Sequence, residues 1–174
     1  MISAIVCADK NWGIGYNGKL LANIPEDIRF FREKTTNNVV IMGRKTYESL
    51  PFKPLPHRTN IVVTSNITSP CEVCEIDESG TIFMTIDFVK LYLSTIHYDN
   101  PVDYYIIGGG QLYKELLPYC SKSYVTKVDY IYNNVDTYFP NIDNMPEWEI
   151  NSASETKEYN NIGYRFFEYR RKEV

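Results

Sequence analysis

The sequence predicts an α/β fold. It reads as a single domain over residues 1–174, with a mixed, mostly parallel twisted sheet, helices on both faces and a C-terminal antiparallel hairpin. Three observations predict this. Short, continuous apolar runs read as strands buried on both faces, as parallel strands are. Helix-patterned segments alternate with those runs, which favours strands joined by crossovers. Near the end, residues 148–154 and 164–170 alternate apolar with polar on either side of Asn160-Asn161-Ile162-Gly163, the pattern of a hairpin that makes the sheet mixed.

The first strand is expected at 2–8, an apolar run that stops at Asp9-Lys10. It has no cationic start and is too short for a secretion signal or a membrane span, so reduced thiols in a cytoplasm are the expectation. A helix at 26–35 starts behind Pro25 with Glu26 and Asp27 in its first turn, where proline is tolerated and acids offset the helix dipole. A strand at 39–42 runs through Gly43-Arg44-Lys45-Thr46 into a helix at 45–50. Turn-forming residues fill 51–57 and 66–70, around a strand at 61–64 that ends in Thr64-Ser65-Asn66. A helix at 86–96 precedes a strand at 104–107. The latter breaks at Gly108-Gly109-Gly110 and resumes as a helix at 111–117, and the last parallel strand is expected at 124–130.

Composition narrows the function. With 44% hydrophobic and 23% charged residues the chain is ordinary globular material, which removes disordered and fibrous classes. A net charge of −4 supplies no basic face for a nucleic-acid backbone, so neither nucleic acid nor membrane is an expected partner. Any positive site must be local. The four cysteines, Cys7, Cys71, Cys74 and Cys120, contain one C-x-x-C, but no second pair or nearby histidine completes a metal site, and no metal is expected.

Local positive charge and glycine backbone coincide at three strand ends. In an open α/β sheet ligands bind beyond the carboxyl ends of strands, so the ends at Gly43, Thr64 and Gly108 could line one crevice. Glycines let backbone N–H groups approach an anion, Arg44 offers a planar fork for phosphate oxygens, Lys45 a point charge and Ser65 a neutral donor. That set suits a dinucleotide carrying an extra phosphate. The bland alternatives are a tight turn with no ligand and a solvated helix start. Asp27 likewise reads two ways, as a dipole-compensating surface acid or as one carboxyl in an apolar pocket beside Ile28 and Phe31, able to pair with an amidine-like N–C–N edge.

Several motifs, in order, together resemble the dihydrofolate reductase family along nearly the whole chain. They are Ile14-Gly15 with Asn17-Gly18, Pro25-x-Asp27 with Phe30-Phe31, and residues 40–49 (VIMGRKTYES). Leu55-Pro56-His57-Arg58, Ile107-Gly108-Gly109-Gly110 with Tyr113, Thr126, and Asp136-Thr137-Tyr138-Phe139-Pro140 follow. The resemblance implies reduction of 7,8-dihydrofolate to tetrahydrofolate with NADPH, in a monomer that antifolates also bind. It implies that Asp27 holds the pterin's amino-pyrimidine edge and assists protonation, that Thr126 orients Asp27, and that Leu20 belongs to the catalytic loop. Ile5, Val6, Ile28, Phe31, Leu50, Leu55, Ile107 and Tyr113 would complete the substrate site, with Arg58 pairing the α-carboxylate of the glutamate tail; by itself Arg58 also reads as a surface cation. Gly43, Arg44, Lys45, Thr64, Ser65 and Asn66 would surround adenosine and its 2′-phosphate. Thr46, Gly109, Gly110, Gln111, Leu112 and Thr137 would cradle the pyrophosphate, Cys7, Ile14 and Ile107 would lie near the nicotinamide, and Gly108-Gly109 would be cis.

One departure stands out. Where the family usually has Leu-Pro-Trp in the loop over the site, this chain has Leu20-Leu21-Ala22. The missing indole implies altered proton delivery or ligand affinity, and it keeps open a non-catalytic pterin or NADPH-binding relative. A reductase of deaminated pyrimidines would have no reason to keep Asp27, and a thioredoxin-like role for Cys71-x-x-Cys74 lacks the helix-start context.

Overall fold

The computed structural model describes residues 1–67, 74–96 and 101–172. In chain order the elements are β1 (Ile2–Ala8), β2 (Gly13–Tyr16), β3 (Lys19–Leu20), α1 (Pro25–Thr35), β4 (Val39–Gly43), α2 (Arg44–Ser49) and β5 (Thr59–Val63). Then come β6 (Cys74–Ile76), β7 (Ile82–Met84), α3 (Ile86–Ser94), β8 (Tyr104–Gly108), α4 (Gly110–Leu116) and β9 (Lys122–Val128). The last are β10 (Thr137–Tyr138), β11 (Trp148–Ala153), β12 (Lys157–Tyr159) and β13 (Ile162–Arg171).

Ten strands form one sheet in the order β11-β13-β9-β1-β8-β4-β5-β7-β6, with β12 on β13. From β9 to β7 the pairings are parallel; β6, β11, β12 and β13 pair antiparallel. Strand alternation assigns the helices to faces. Ala4, Val6, Ala8, Val39, Ile41, Tyr104 and Ile106 turn one way and pack with Val89 and Leu93 of α3 and Leu112 and Leu116 of α4. Ile5, Val40, Met42 and Tyr105 turn the other way, against Phe30 and Phe31 of α1 and Tyr47 of α2. The near-continuous apolar runs of the sequence follow from this two-sided burial.

The strands expected at 2–8, 39–42, 61–64 and 104–107 are present, though β5 starts earlier, at Thr59. β9 lies two residues upstream of its expected place, because its register with β1 begins at Ser3 opposite Lys122. The C-terminal hairpin has three strands: β11 and β12 both pair with β13, and the β12–β13 turn is Asn160-Asn161, with φ of 50° and 62°. Asparagine tolerates that left-handed conformation, which a two-residue hairpin turn requires. Six short strands were not anticipated: β6, β7, β12, and the β10-β2-β3 set, which forms a separate antiparallel sheet. Two to four residues are too few to display a period. Cys71, half of the C-x-x-C, lies outside the described residues.

Candidate active site

The order β8-β4-β5 places three parallel strand ends side by side, so the glycines after β8, the cations after β4 and the hydroxyls after β5 share one edge of the sheet. A Cβ built on Gly43 would lie 3.8 Å from the Gly109 backbone nitrogen, so these two strand ends touch backbone to backbone. The Gly108-Gly109 peptide is cis, as the resemblance implies. Thr46 Oγ1 lies beside both glycines, 3.4 Å from the place of a Gly109 Cβ and 3.7 Å from that of Gly108. From above, β10 closes on Gly110: a Cβ there would meet Thr137 Cγ2 at 2.9 Å and the Tyr138 carbonyl oxygen at 3.0 Å.

The polar groups at this edge are only partly engaged. Arg44 pairs with Glu48 at 3.5 Å one turn along α2, with both side chains well exposed. Lys45 and Ser65 are exposed, and Lys45 has no ion-pair partner among the described residues. Thr64 is buried, its hydroxyl accepting from the Asn66 amide at 3.0 Å. Gln111 donates to Glu115, and Thr137 to Asp136. Leu112 and Ile14 are core side chains, buried in the cluster on the α3–α4 face.

The second half of the site lies on the α1–α2 face. Asp27 sits in the first turn of α1 and reaches across to β9, where Thr126 Oγ1 donates to Asp27 Oδ1 at 2.5 Å. Cys7 is opposite Thr126 in the β1–β9 register, on the same sheet face. Burial raises the Asp27 carboxyl above the usual carboxylate range, opposed by the donors Thr126 and Cys7. Burial, then the neighbouring Asp27, pushes the Cys7 thiol well up, so it stays protonated. Ile5, Phe31, Leu50, Leu55 and Ile107 form the apolar wall.

Arg58 stands at the outer end. Its Nε donates to the Pro56 carbonyl and its Nη1 to Thr35 Oγ1, and its guanidinium carbon is 6.0 Å from the Phe31 ring centroid. Burial, then Arg32, holds its pKa below the usual arginine value, and no carboxylate pairs with it among the described residues. Two adjacent cations without an acid form a receptor for carboxylates.

Three expected site residues are placed differently. Val6 turns to the α3–α4 core, because strand alternation gives the active face to Ile5 and Cys7. Leu20, grouped with the catalytic residues, is a 76% exposed hydrocarbon on β3 with no proton to transfer. Tyr113 is buried and donates to the Ile5 carbonyl oxygen at 2.7 Å, tying α4 to β1 rather than presenting its hydroxyl to a ligand.

Two residues were missed. Arg32 shares a helix face with Ile28, a spacing the sequence already displays. Asn60 is 2% exposed, and its amide bonds the Leu55 N–H, the Leu55 carbonyl and the Arg58 carbonyl at 2.9, 2.9 and 3.0 Å. One buried side chain thus shapes the loop that carries Leu55 and Arg58. An asparagine immediately before the expected 61–64 strand was its only signal.

Comparison with known proteins agrees with this geometry. The family model described as dihydrofolate reductase matches residues 1–171. The dihydrofolate reductase of Buchnera aphidicola subsp. Acyrthosiphon pisum (strain APS) is 40% identical over 148 residues, 85% of this chain and 84% of that relative. That of Bacillus subtilis (strain 168) is 36% identical over 174 residues, covering 99% and 95%. The structure of the Enterococcus faecalis dihydrofolate reductase, complexed with NADP(H) and RAB-propyl, superposes with a TM-score of 0.80 at 32% identity, covering 99% of this chain and 97% of that one. With this coverage and with Asp27, Thr126 and the glycine edge in place, the chain belongs to the dihydrofolate reductase family.

Proposed function

We propose that this protein reduces 7,8-dihydrofolate to 5,6,7,8-tetrahydrofolate with NADPH, supporting one-carbon metabolism and so thymidylate and purine synthesis. The observation that carries this reading is a single carboxyl, Asp27, oriented by Thr126 within an apolar wall, with unpaired Arg58 at the far end. A pterin with a glutamate tail has complementary chemistry: an N–C–N edge for the acid, flat rings for the wall and carboxylates for the cation.

The residues at the sheet edge fit NADPH. Gly43, Gly109 and Gly110 present bare backbone at this edge, and Thr46 brings a hydroxyl to the same place. Arg44, Lys45 and Ser65 would hold the 2′-phosphate, and Gln111 would border the cradle. When bound, NADPH supplies the hydride for the pterin's C6–N5 imine. Asp27 would do the complementary work: its N–C–N pairing fixes the ring, and with its pKa raised by burial it takes up a proton more readily than an exposed carboxylate, to be relayed to N5 through water because that nitrogen lies away from the paired edge. Ile5, Phe31, Leu50 and Ile107 exclude bulk water around it.

The same carboxyl would receive the amidine edge of antifolates. A non-catalytic binder would have no need of an acid oriented for proton delivery. We place the enzyme in the cytoplasm as a single-domain monomer; no helix among the described residues is long and apolar enough to cross a membrane. The test is the initial rate of nicotinamide oxidation with dihydrofolate, run with NADPH and NADH side by side. Turnover that favours NADPH supports the reading, and tight NADPH binding without turnover overturns it in favour of the binder.

A further inference from the structure

Helix α1 carries two consecutive acids in its first turn, and the sheet holds both. Asp27 is held by Thr126 of β9. Glu26 is held from the C-terminal hairpin: Tyr164 Oη donates to Oε2 at 2.6 Å and Lys157 Nζ to Oε1 at 2.7 Å, so each carboxylate oxygen has its own donor. The two donors are not a chance pair. Lys157 and Tyr164 are directly opposite each other in the β12–β13 register, which sets their side chains side by side on one face of the hairpin.

The same register continues inward. Tyr164 lies opposite Val128 of β9, and Phe166, two residues on, lies opposite Thr126. The Thr126 and Tyr164 hydroxyls therefore project from neighbouring strands on one face, toward the same helix turn. Between them, Ile24, Val128 and Tyr164 pack as one buried cluster, with Cys7, Ala22 and Phe166 against it. Among the described residues the helix end has no other fastening of this kind: Ile24 at the N-cap offers no side-chain acceptor, and Pro25 has no N–H.

We propose that Glu26, gripped by Tyr164 and Lys157, is a positioning residue for Asp27, through which the C-terminal hairpin sets the seat of the proton-delivering carboxylate. This inference rests on the reading of Asp27 as the acid of a dihydrofolate reductase. Glu26 does no chemistry in it. Its pKa is lowered, chiefly by Lys157 and then Tyr164, so it stays ionised while Asp27 titrates, and the Tyr164 hydroxyl, pushed up to about 12 by burial and by Glu26, stays a donor.

The test is Tyr164→Phe, which removes one oxygen and changes no charge at neutral pH. Other titratable groups face Asp27: Cys7 from β1, Tyr113 from α4 and Tyr164 from β13. Only the last is altered. If the grip positions Asp27, the Thr126 bond that lowers the Asp27 pKa weakens when the helix start shifts. The pKa that governs kcat/KM for dihydrofolate then rises by about half a unit or more, while the misplaced acid lowers the low-pH plateau of kcat/KM, where Asp27 is protonated, by about tenfold. NADPH affinity, measured by fluorescence titration, is unchanged. Glu26→Gln serves as the second variant. As a pure charge effect it would lower the Asp27 pKa by removing a nearby anion, whereas loss of positioning raises it, so the sign separates the two.

A lowered melting temperature with unchanged kcat/KM and pH profile in Tyr164→Phe would make the grip structural only and overturn the proposal. If Tyr164→Phe does not fold, Glu26→Gln decides on the same profile. Wild-type protein and Asp27→Asn are run alongside. A wild type without turnover defeats the reductase reading, whereas active wild type, inactive Asp27→Asn and an unaltered Tyr164→Phe defeat only the positioning role.

Discussion

Adjacent residues of one helix turn illustrate how environment divides roles between identical functional groups. Glu26 is drawn down by a lysine and a tyrosine, while Asp27, one residue on, is pushed up by burial. Asp27→Asn keeps the shape and removes the proton. We expect kcat/KM for dihydrofolate to fall by about 10²–10⁴-fold, the range for loss of a general acid, as measured by steady-state rates. The same variant should melt higher at neutral pH. An acid whose folded pKa is raised contributes stability below its unfolded pKa and loses it as pH rises through the folded value, so at pH 7 the ionised Asp27 is a cost that asparagine lacks. Ala22 is the second residue of interest, since it lines the cluster with Cys7 and Phe166 where the family usually carries an indole. Ala22→Trp should alter the pH dependence of kcat; unchanged rate and profile would show that the small residue has no bearing on proton delivery.

Elements set what residues alone cannot. Asn60 on β5 holds the Leu55–Arg58 loop by three hydrogen bonds, so Asn60→Leu should raise KM for dihydrofolate by about tenfold or more while leaving NADPH affinity intact. Isothermal titration of both ligands separates the two. The glycine edge permits a similar separation. A Cβ on Gly109 meets only the Thr46 hydroxyl at 3.4 Å, so the protein accommodates alanine there and lost NADPH affinity in Gly109→Ala reports on space reserved for the cofactor. Gly110→Ala instead collides with β10 at 2.9 and 3.0 Å, and should lower stability by about 1–3 kcal/mol as well. The central strands and the helices were legible because each is marked by a continuous apolar run or by a helical period with its start signals. β2, β3 and β10 were not, because their strands are two to four residues long and β10 finds its partner β2 more than a hundred residues away.

At the scale of the whole molecule, an acidic chain concentrates a few cations at one sheet edge and one loop. Arg44→Ala with Lys45→Ala should raise KM for NADPH by about tenfold or more and leave that for NADH nearly unchanged, which paired initial-rate measurements would resolve. Activity should decline as pH rises through the Asp27 pKa, since the proton is then gone. By itself the sequence determined the α/β class, the central strands and the chemistry-bearing motifs, because each is written in contiguous residues whose period, glycines or charges act locally. The tertiary structure decided which face each residue serves and what orients it. It turned Val6 and Leu112 into the core, gave the Tyr113 hydroxyl to Ile5, and joined Glu26 to Tyr164 across 138 positions. Those outcomes depend on strand register and helix placement, which arise from long-range packing and leave no mark in local sequence.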